Sequence, residues 1–238
     1  MKSSFNAYID GFNLYKGVLE RRGDTKWLDI RSLCESRFPN LTLRDVYYFT
    51  ANVKERFRGD DSPRRQHAYL RALKDQGVLV IYGKFRRDSD WLRVEASNAR
   101  ALLEPGLPAH LGATELAFRN SCRNALPDRP KTRVAQFEEK GSDVNLASYL
   151  LRDVFLERLQ NALIITGDSD LVTPIKMVKN FGAVTHVMIP NQRQRVDDLR
   201  AAASTIEHIH ANELLNHQFP NHYVTRKGGV ILRPSTWV

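Results

Sequence analysis

The chain has 238 residues, with 36 Lys and Arg against 27 Asp and Glu, a formal net charge of +9 and a pI of about 9.7. At 42% hydrophobic and 26% charged residues, the composition is globular and excludes a disordered or low-complexity chain. No apolar run approaches the roughly 20 residues a membrane helix needs. Two cysteines, Cys34 and Cys122, exclude a disulfide scaffold and a structural zinc site on ligand count. The acid at Asp10 comes too early for a signal peptide's apolar stretch, so a reducing cytoplasm and no membrane association are expected. For a basic protein of this kind, polyanions are the default partners.

In chain order, short β-branched runs alternate with helical patterns, which predicts parallel strands joined by crossover helices. Phe5–Ile9 reads as a strand, followed by the loop Asp10-Gly11-Phe12-Asn13 and a helix to about Glu20. A helix over Asp29–Phe38 is capped by its acid and stopped by Pro39, and Arg44–Ala51 reads as the next strand. Ser62-Pro63 opens a basic helix to Lys74, with proline in the first turn. Gly77–Phe85 is nearly continuously apolar, which predicts a strand covered on both faces. From Arg86 to Arg133 the rhythm breaks, with Pro105, Pro108, Pro127 and Pro130 and many arginines. That stretch reads as an excursion from the sheet, with a short helix near Thr114–Cys122. Regularity returns at Val134–Phe137, then in a helix over Ser142–Leu159 with apolar positions spaced to pack on a sheet. Ala162–Thr166, Ala183–Ile189 and Ile206–Ile209 read as strands, Leu171–Phe181 and Val196–Ala203 as helices. The expected division is one α/β domain over 1–210, with an insertion at about 86–133 and a C-terminal extension over 211–238. That extension is one small helix and a basic tail that either anchors on the domain or reaches a ligand.

Four acids fall where strands end or helices begin. Asp10 follows the first strand, Asp143 sits in Lys140-Gly141-Ser142-Asp143, and Asp168 and Asp170 sit in Thr166-Gly167-Asp168-Ser169-Asp170. Taken singly, each is an ordinary turn former or helix cap. Together they can meet, because open parallel sheets bind ligands beyond the carboxyl ends of their strands. Clustered carboxylates repel unless a cation neutralises them, and all-oxygen ligation favours a hard ion such as Mg²⁺ or Mn²⁺. Pro174 requires its helix to begin close to Asp170, which puts Asp168 and Asp170 at the helix mouth.

Tyr8-Ile9-Asp10-Gly11-Phe12-Asn13, Lys140-Gly141-Ser142-Asp143 and Thr166-Gly167-Asp168-Ser169-Asp170-Leu171 resemble the three signature motifs of NYN domains, a family of the PIN-like nuclease group. The chain is most similar to the bacterial LabA-like branch, and the resemblance runs in order from residue 5 to about 190, interrupted by 86–133. It implies a Rossmann-like (PIN-like) open parallel sheet flanked by helices, an acidic Mg²⁺ or Mn²⁺ site and RNA cleavage. Carried onto these positions, it makes Asp10 the principal metal ligand, with Asp143 and Asp168 completing the set. Asp170 holds a second ion or orients the attacking water. Asn13 contacts a phosphate oxygen, holds Asp10 in place, or merely caps the following helix. Lys140 and Ser169 are candidate phosphate contacts. Some relatives carry cysteine pairs in the middle insertion; with only Cys122 there, no such role transfers.

Positive charge gathers at Arg56, Arg58, Arg64, Arg65 and Arg71, and at Lys84, Arg86, Arg87, Arg93 and Arg100. A third group is Arg119, Arg123, Arg129, Lys131 and Arg133. Phosphate contacts of this kind carry affinity without sequence information. Arg86 and Arg87 are accordingly candidates for gripping RNA, and Trp91 either stacks a base or packs the insertion. His208 and His210 fall on one face of an edge strand, which needs no metal. The reading is a metal-dependent ribonuclease. Its rivals are a non-catalytic RNA-binding regulatory module that kept the fold and a structure-directed DNA nuclease. An aspartyl-phosphate phosphatase is disfavoured, since it wants a second Asp at position 12, where Phe stands. A homo-oligomer and a regulatory protein partner are both compatible with this sequence.

Overall fold

The first strand, β1 (Ser4–Asp10), turns Phe5, Ala7 and Ile9 to one side and Tyr8 to the other, and all four are buried. A strand that is apolar on both faces belongs inside a parallel sheet with helices above and below. That is the architecture of the computed structural model, which describes residues 3–55, 57–93, 131–157 and 159–237. After β1 come α1 (Gly11–Leu14), continued by a π-helical turn (Tyr15–Leu19), then α2 (Ile30–Arg37), β2 (Thr42–Thr50), α3 (Ser62–Asp75) and β3 (Leu79–Tyr82). Strands β4 (Lys84–Arg93) and β5 (Lys131–Lys140) precede α4 (Ser142–Glu157), β6 (Asn161–Ile165), a 3-10 turn (Ser169–Leu171) and α5 (Val172–Asn180). The chain then forms β7 (Val184–Ile189), α6 (Asp197–Ala202), β8 (Thr205–His208), α7 (Ala211–Leu214), β9 (His222–Val224) and β10 (Val230–Leu232).

Six strands form one parallel sheet in the order β3-β2-β1-β6-β7-β8. Strand order reverses between β1 and β6, and there the loops beyond the carboxyl ends diverge to opposite faces and leave a crevice. One face of the sheet packs Ile9, Leu163, Ile165, Val46 and Tyr48 with Leu33, Leu70 and Leu73 of α2 and α3. The other packs Tyr8, Phe49, Ile164 and Val187 with Leu146 and Leu150 of α4, Ile175 of α5 and Leu199 of α6. The α/β fold with a central parallel sheet flanked by helices is therefore as the sequence predicts. Residues Arg86–Glu138 form a second compact unit. Strands β4 and β5 pair as a two-stranded sheet.

Three expectations need correction. Gly77–Phe85 is not one strand covered on both faces: β3 is an edge strand of four residues, with Leu79 and Tyr82 exposed. The chain leaves the sheet at Gly83, and the close passage there requires glycine: a Cβ would lie 2.7 Å from the Lys140 carbonyl oxygen and 2.8 Å from Ser142 Oγ. Second, strand structure runs past Arg86, as β4 to Arg93, and β5, which includes the regularity expected at Val134–Phe137, begins earlier, at Lys131. The helix expected at Thr114–Cys122 lies outside the described residues. Third, β8 ends at His208, so His210 is not in the strand; it precedes α7 and its Nδ1 meets Gln192 Nε2 at 2.9 Å. The C-terminal tail anchors on the domain: β9 and β10 pair antiparallel, and Phe219, Ile231 and Trp237 complete the core around Trp27 and Tyr69.

Candidate metal centre

Asp10 ends β1 at the reversal point and is 4% exposed. It is also the N-cap of α1: its Oδ1 accepts from the Asn13 backbone N–H at 2.9 Å, and its Oδ2 accepts from Thr166 Oγ1 at 3.1 Å. Thr166 Oγ1 in turn accepts from the Asp168 N–H at 3.1 Å. The Asn13 side-chain carbonyl accepts from the Gly167 N–H at 2.9 Å, which ties the loop after β1 to the loop after β6. Asn13 therefore positions the two acid-bearing loops, and the cap of the helix is Asp10. Gly11 is required because a Cβ there would lie 2.5 Å from the Tyr48 ring.

Asp143 reaches the same place from α4. The backbone at Gly141 has φ +90°, a left-handed conformation that glycine adopts without strain, and it turns the end of β5 into the helix. The helix is anchored ten residues on by Asp153, which is fully buried. Asp153 accepts from Tyr8 Oη at 2.7 Å, Asn6 Nδ2 at 3.1 Å and Arg152 Nε at 2.8 Å. The Arg152 guanidinium lies over the Tyr149 ring, 4.3 Å from its centre.

Asp10, Asp143 and Asp168 each offer a carboxylate oxygen, and the three oxygens lie within 4.8 Å of one another. Among the described residues, no Lys, Arg or His forms an ion pair with any of them. Burial pushes the Asp10 carboxyl up to about 6, and the neighbouring Asp143 and Asp168 charges add to the rise. Partial burial raises Asp143 as well, again with Asp168 and Asp170 adding to it. A half-buried trio of like charges with no cationic side chain paired to it among the described residues is a site a divalent cation can satisfy, and carboxylate oxygens suit a hard ion.

The other expected residues lie around this cluster. Asp170 and Ser169 are exposed at the 3-10 turn, where the Asp170 N–H donates to Asp168 Oδ1 at 2.9 Å; Asp168, not Asp170, is the cap. Lys140 is exposed at the end of β5. Arg86 and Arg87 fall in β4, and their side chains, like that of Trp91, lie outside the described residues. Two residues that hold the site are absent from the sequence-predicted set: Thr166, which opens the third motif, and Gln194, which lies outside all three. Thr166 bridges Asp10 and Asp168, and Gln194 Nε2 donates to the Gly167 carbonyl oxygen at 2.5 Å. A glycine at 167, where any Cβ would run into the Gln194 side chain, is the available clue.

Fold and cluster together define an α/β protein with a carboxylate site at the sheet's reversal point. A family model for the NYN domain matches residues 112–210. That span contains Asp143 and Asp168 and lies C-terminal to the Asp10 motif. Among curated proteins, the chain is similar to 6-hydroxy-3-succinoylpyridine 3-monooxygenase HspA of Pseudomonas putida (strain DSM 28022 / S16). The two are 28% identical over 255 residues, covering 97% of this chain and 74% of that one. A crystal structure of a protein of unknown function from Vibrio parahaemolyticus RIMD 2210633 aligns with a TM-score of 0.45 at 12% identity, covering 88% of this chain and 94% of that one. No helix among the described residues is long and apolar enough to cross a membrane.

Proposed function

We propose that this protein is a metal-dependent ribonuclease of the LabA-like NYN type. The observation that carries the reading is the convergence of Asp10, Asp143 and Asp168, from three separate segments, at the sheet's reversal point with no cationic side chain among the described residues to balance them. Mg²⁺ or Mn²⁺ held by these three carboxylates would supply charge for the phosphodiester and acidify water. The chain's own residues do the rest. Thr166 and the Asn13 backbone fix both oxygens of Asp10, so the ligand needs no reorganisation on binding. Asp170, exposed two residues beyond Asp168, would orient the attacking water or hold a second ion. Lys140 and Ser169, the candidates nearest the cluster in sequence, would contact phosphate, and Arg86 and Arg87 are further candidate RNA contacts. The net charge of +9 suits a polyanionic substrate.

The coverage of this chain by the Pseudomonas putida relative favours a second reading, in which the cluster serves a monooxygenation such as that protein's name states. Iron sites that activate dioxygen commonly pair two histidines with one carboxylate. The cluster holds no His among the described residues, and its all-carboxylate donor set favours hydrolysis.

The test is labelled RNA incubated with wild-type and Asp10→Asn protein in Mn²⁺ or in excess EDTA. Fragments are expected only from wild type in Mn²⁺, with the variant slower by more than about 100-fold, since even outer partners of a metal site cost 10–100-fold. Binding without fragments in every arm would make the protein an RNA-binding module. Dioxygen consumption with 6-hydroxy-3-succinoylpyridine and a reductant, without RNA cleavage, would favour the second reading.

A further inference from the structure

Asp168 differs from the other two carboxylates in how it is carried. Asp10 ends a central strand and Asp143 lies in the first turn of a 16-residue helix, whereas Asp168 stands on the loop between β6 and a three-residue turn. Three like charges within 4.8 Å repel one another. The ligand on the loop is the one whose backbone can yield.

That loop is held from outside. The Thr166 N–H donates to the Met188 carbonyl oxygen of β7 at 3.1 Å, and the Asp168 N–H donates to Thr166 Oγ1 at 3.1 Å. Between them, both backbone polar groups of Gly167 are bound by side-chain amides. Its N–H donates to Asn13 Oδ1 at 2.9 Å, and its carbonyl oxygen accepts from Gln194 Nε2 at 2.5 Å. Asn13 follows β1 and Gln194 follows β7, so the residue before Asp168 is gripped from both strands that flank β6.

Gln194 is fitted to this contact. Of the five polar residues Asn191 to Arg195, it alone is withdrawn from full exposure. Its loop is anchored on either side. Gln192 Nε2 donates to the Ile209 carbonyl oxygen at 3.3 Å, the Gln194 N–H donates to the Asn191 carbonyl oxygen at 3.2 Å, and Val196 is buried in the core. Pro190 packs so closely on Gly17 that a Cβ there would lie 2.6 Å from Pro190 Cβ. Gly167 is glycine for space, since its φ lies outside the left-handed region. The three atoms nearest a Cβ added to it are Oε1, Cδ and Nε2 of Gln194. The two are a matched pair: the missing side chain of one admits the amide of the other.

We infer that Gln194 is a positioning residue of the carboxylate site, clamping Gly167 so that Asp168 is held beside Asp10 and Asp143 before any cation arrives. It acts through the Gly167 peptide and is not itself a ligand. This role rests on the metal-binding reading of the cluster, and it gives the geometry of one ligand to a residue outside all three motifs. A loop already ordered removes that ordering cost from the binding step.

The experiment is calorimetric titration of Mn²⁺ into the full chain as wild type, Gln194→Ala, Gly167→Ala and the double variant, with urea midpoints in EDTA for each. Outer partners of metal sites contribute about 10–100-fold in affinity, so Gln194→Ala is expected to bind Mn²⁺ about tenfold more weakly. Gly167→Ala should weaken binding by about as much, because its methyl group displaces the same amide. With residue 194 cut back, that methyl group no longer meets an amide. The double variant should therefore bind within about twofold of Gln194→Ala, whereas independent effects would multiply to about 100-fold. Gln194→Met, which fills the space of glutamine without its donor, should match Gln194→Ala in affinity. Mn²⁺ affinity undiminished in either Gln194 variant, in protein that unfolds cooperatively, overturns the inference, as do losses that multiply in the double variant. No saturable Mn²⁺ binding by wild type overturns the metal reading itself.

Discussion

Asp10 concentrates the conflict on which the site depends. A carboxylate with 4% exposure ordinarily finds a cationic side chain, and this one finds a backbone N–H, a threonine hydroxyl and two other carboxylates. Its pKa in the folded, metal-free protein is about 6 against an ordinary 3.8, so the folded state holds the Asp10 proton more tightly than the unfolded chain does. Stability is therefore lost as pH rises through that interval, by about 3 kcal/mol at roughly 1.4 kcal/mol for each pH unit crossed, and stays lower above it. Asp10→Asn removes the penalty, while its amide oxygen can still accept from Asn13. In EDTA at about pH 7.5 the variant is expected to be more resistant to urea than wild type, with the gap closing near pH 4. Mn²⁺ should reverse the order by stabilising wild type alone. Urea midpoints at the two pH values, with and without Mn²⁺, check this.

At the scale of elements, the loops are held at the site by Asn13 and Thr166, whereas α4 is held by a contact remote from it. Helix α4 delivers Asp143 with its first turn but is anchored by Asp153, about 15 Å along the axis at 1.5 Å per residue. Asp153→Ala leaves Tyr8 Oη, Asn6 Nδ2 and Arg152 without their acceptor. It should cost about 1–3 kcal/mol for each buried donor left unsatisfied, Tyr8 Oη and Asn6 Nδ2, and it should lower Mn²⁺ affinity although the residue is no ligand; chemical denaturation and metal titration measure the two. Elements with a strong period or a capping acid are legible in the sequence: the Asp29 cap, proline in the first turn of α3, and the apolar spacing of α4. The four acids are legible because strand ends and helix starts are where side chains meet in a parallel sheet. Strand β3 is not, because an apolar run does not tell an edge from a centre; only the sheet order does.

For the whole molecule, the net positive charge and the buried acids are complementary. The acids Asp10, Asp143 and Asp168 are gathered at the sheet's reversal point, where a divalent cation could balance them. The C-terminal tail belongs to the same body, since Trp237 closes the core over Trp27 and Tyr69 at ring separations of 6.2 and 6.0 Å. Trp237→Ala should cost about 3 kcal/mol or more by opening that core, visible as a lower urea midpoint with an unchanged Mn²⁺ affinity. The carboxylate cluster itself is tested most directly by calorimetric titration of Mn²⁺ into wild type and into Asp10→Asn, Asp143→Asn and Asp168→Asn. Saturable binding by wild type that each of the three substitutions weakens at least about tenfold, in variants that still unfold cooperatively, is the predicted result. Mn²⁺ binding undiminished in all three would contradict a site built from these carboxylates.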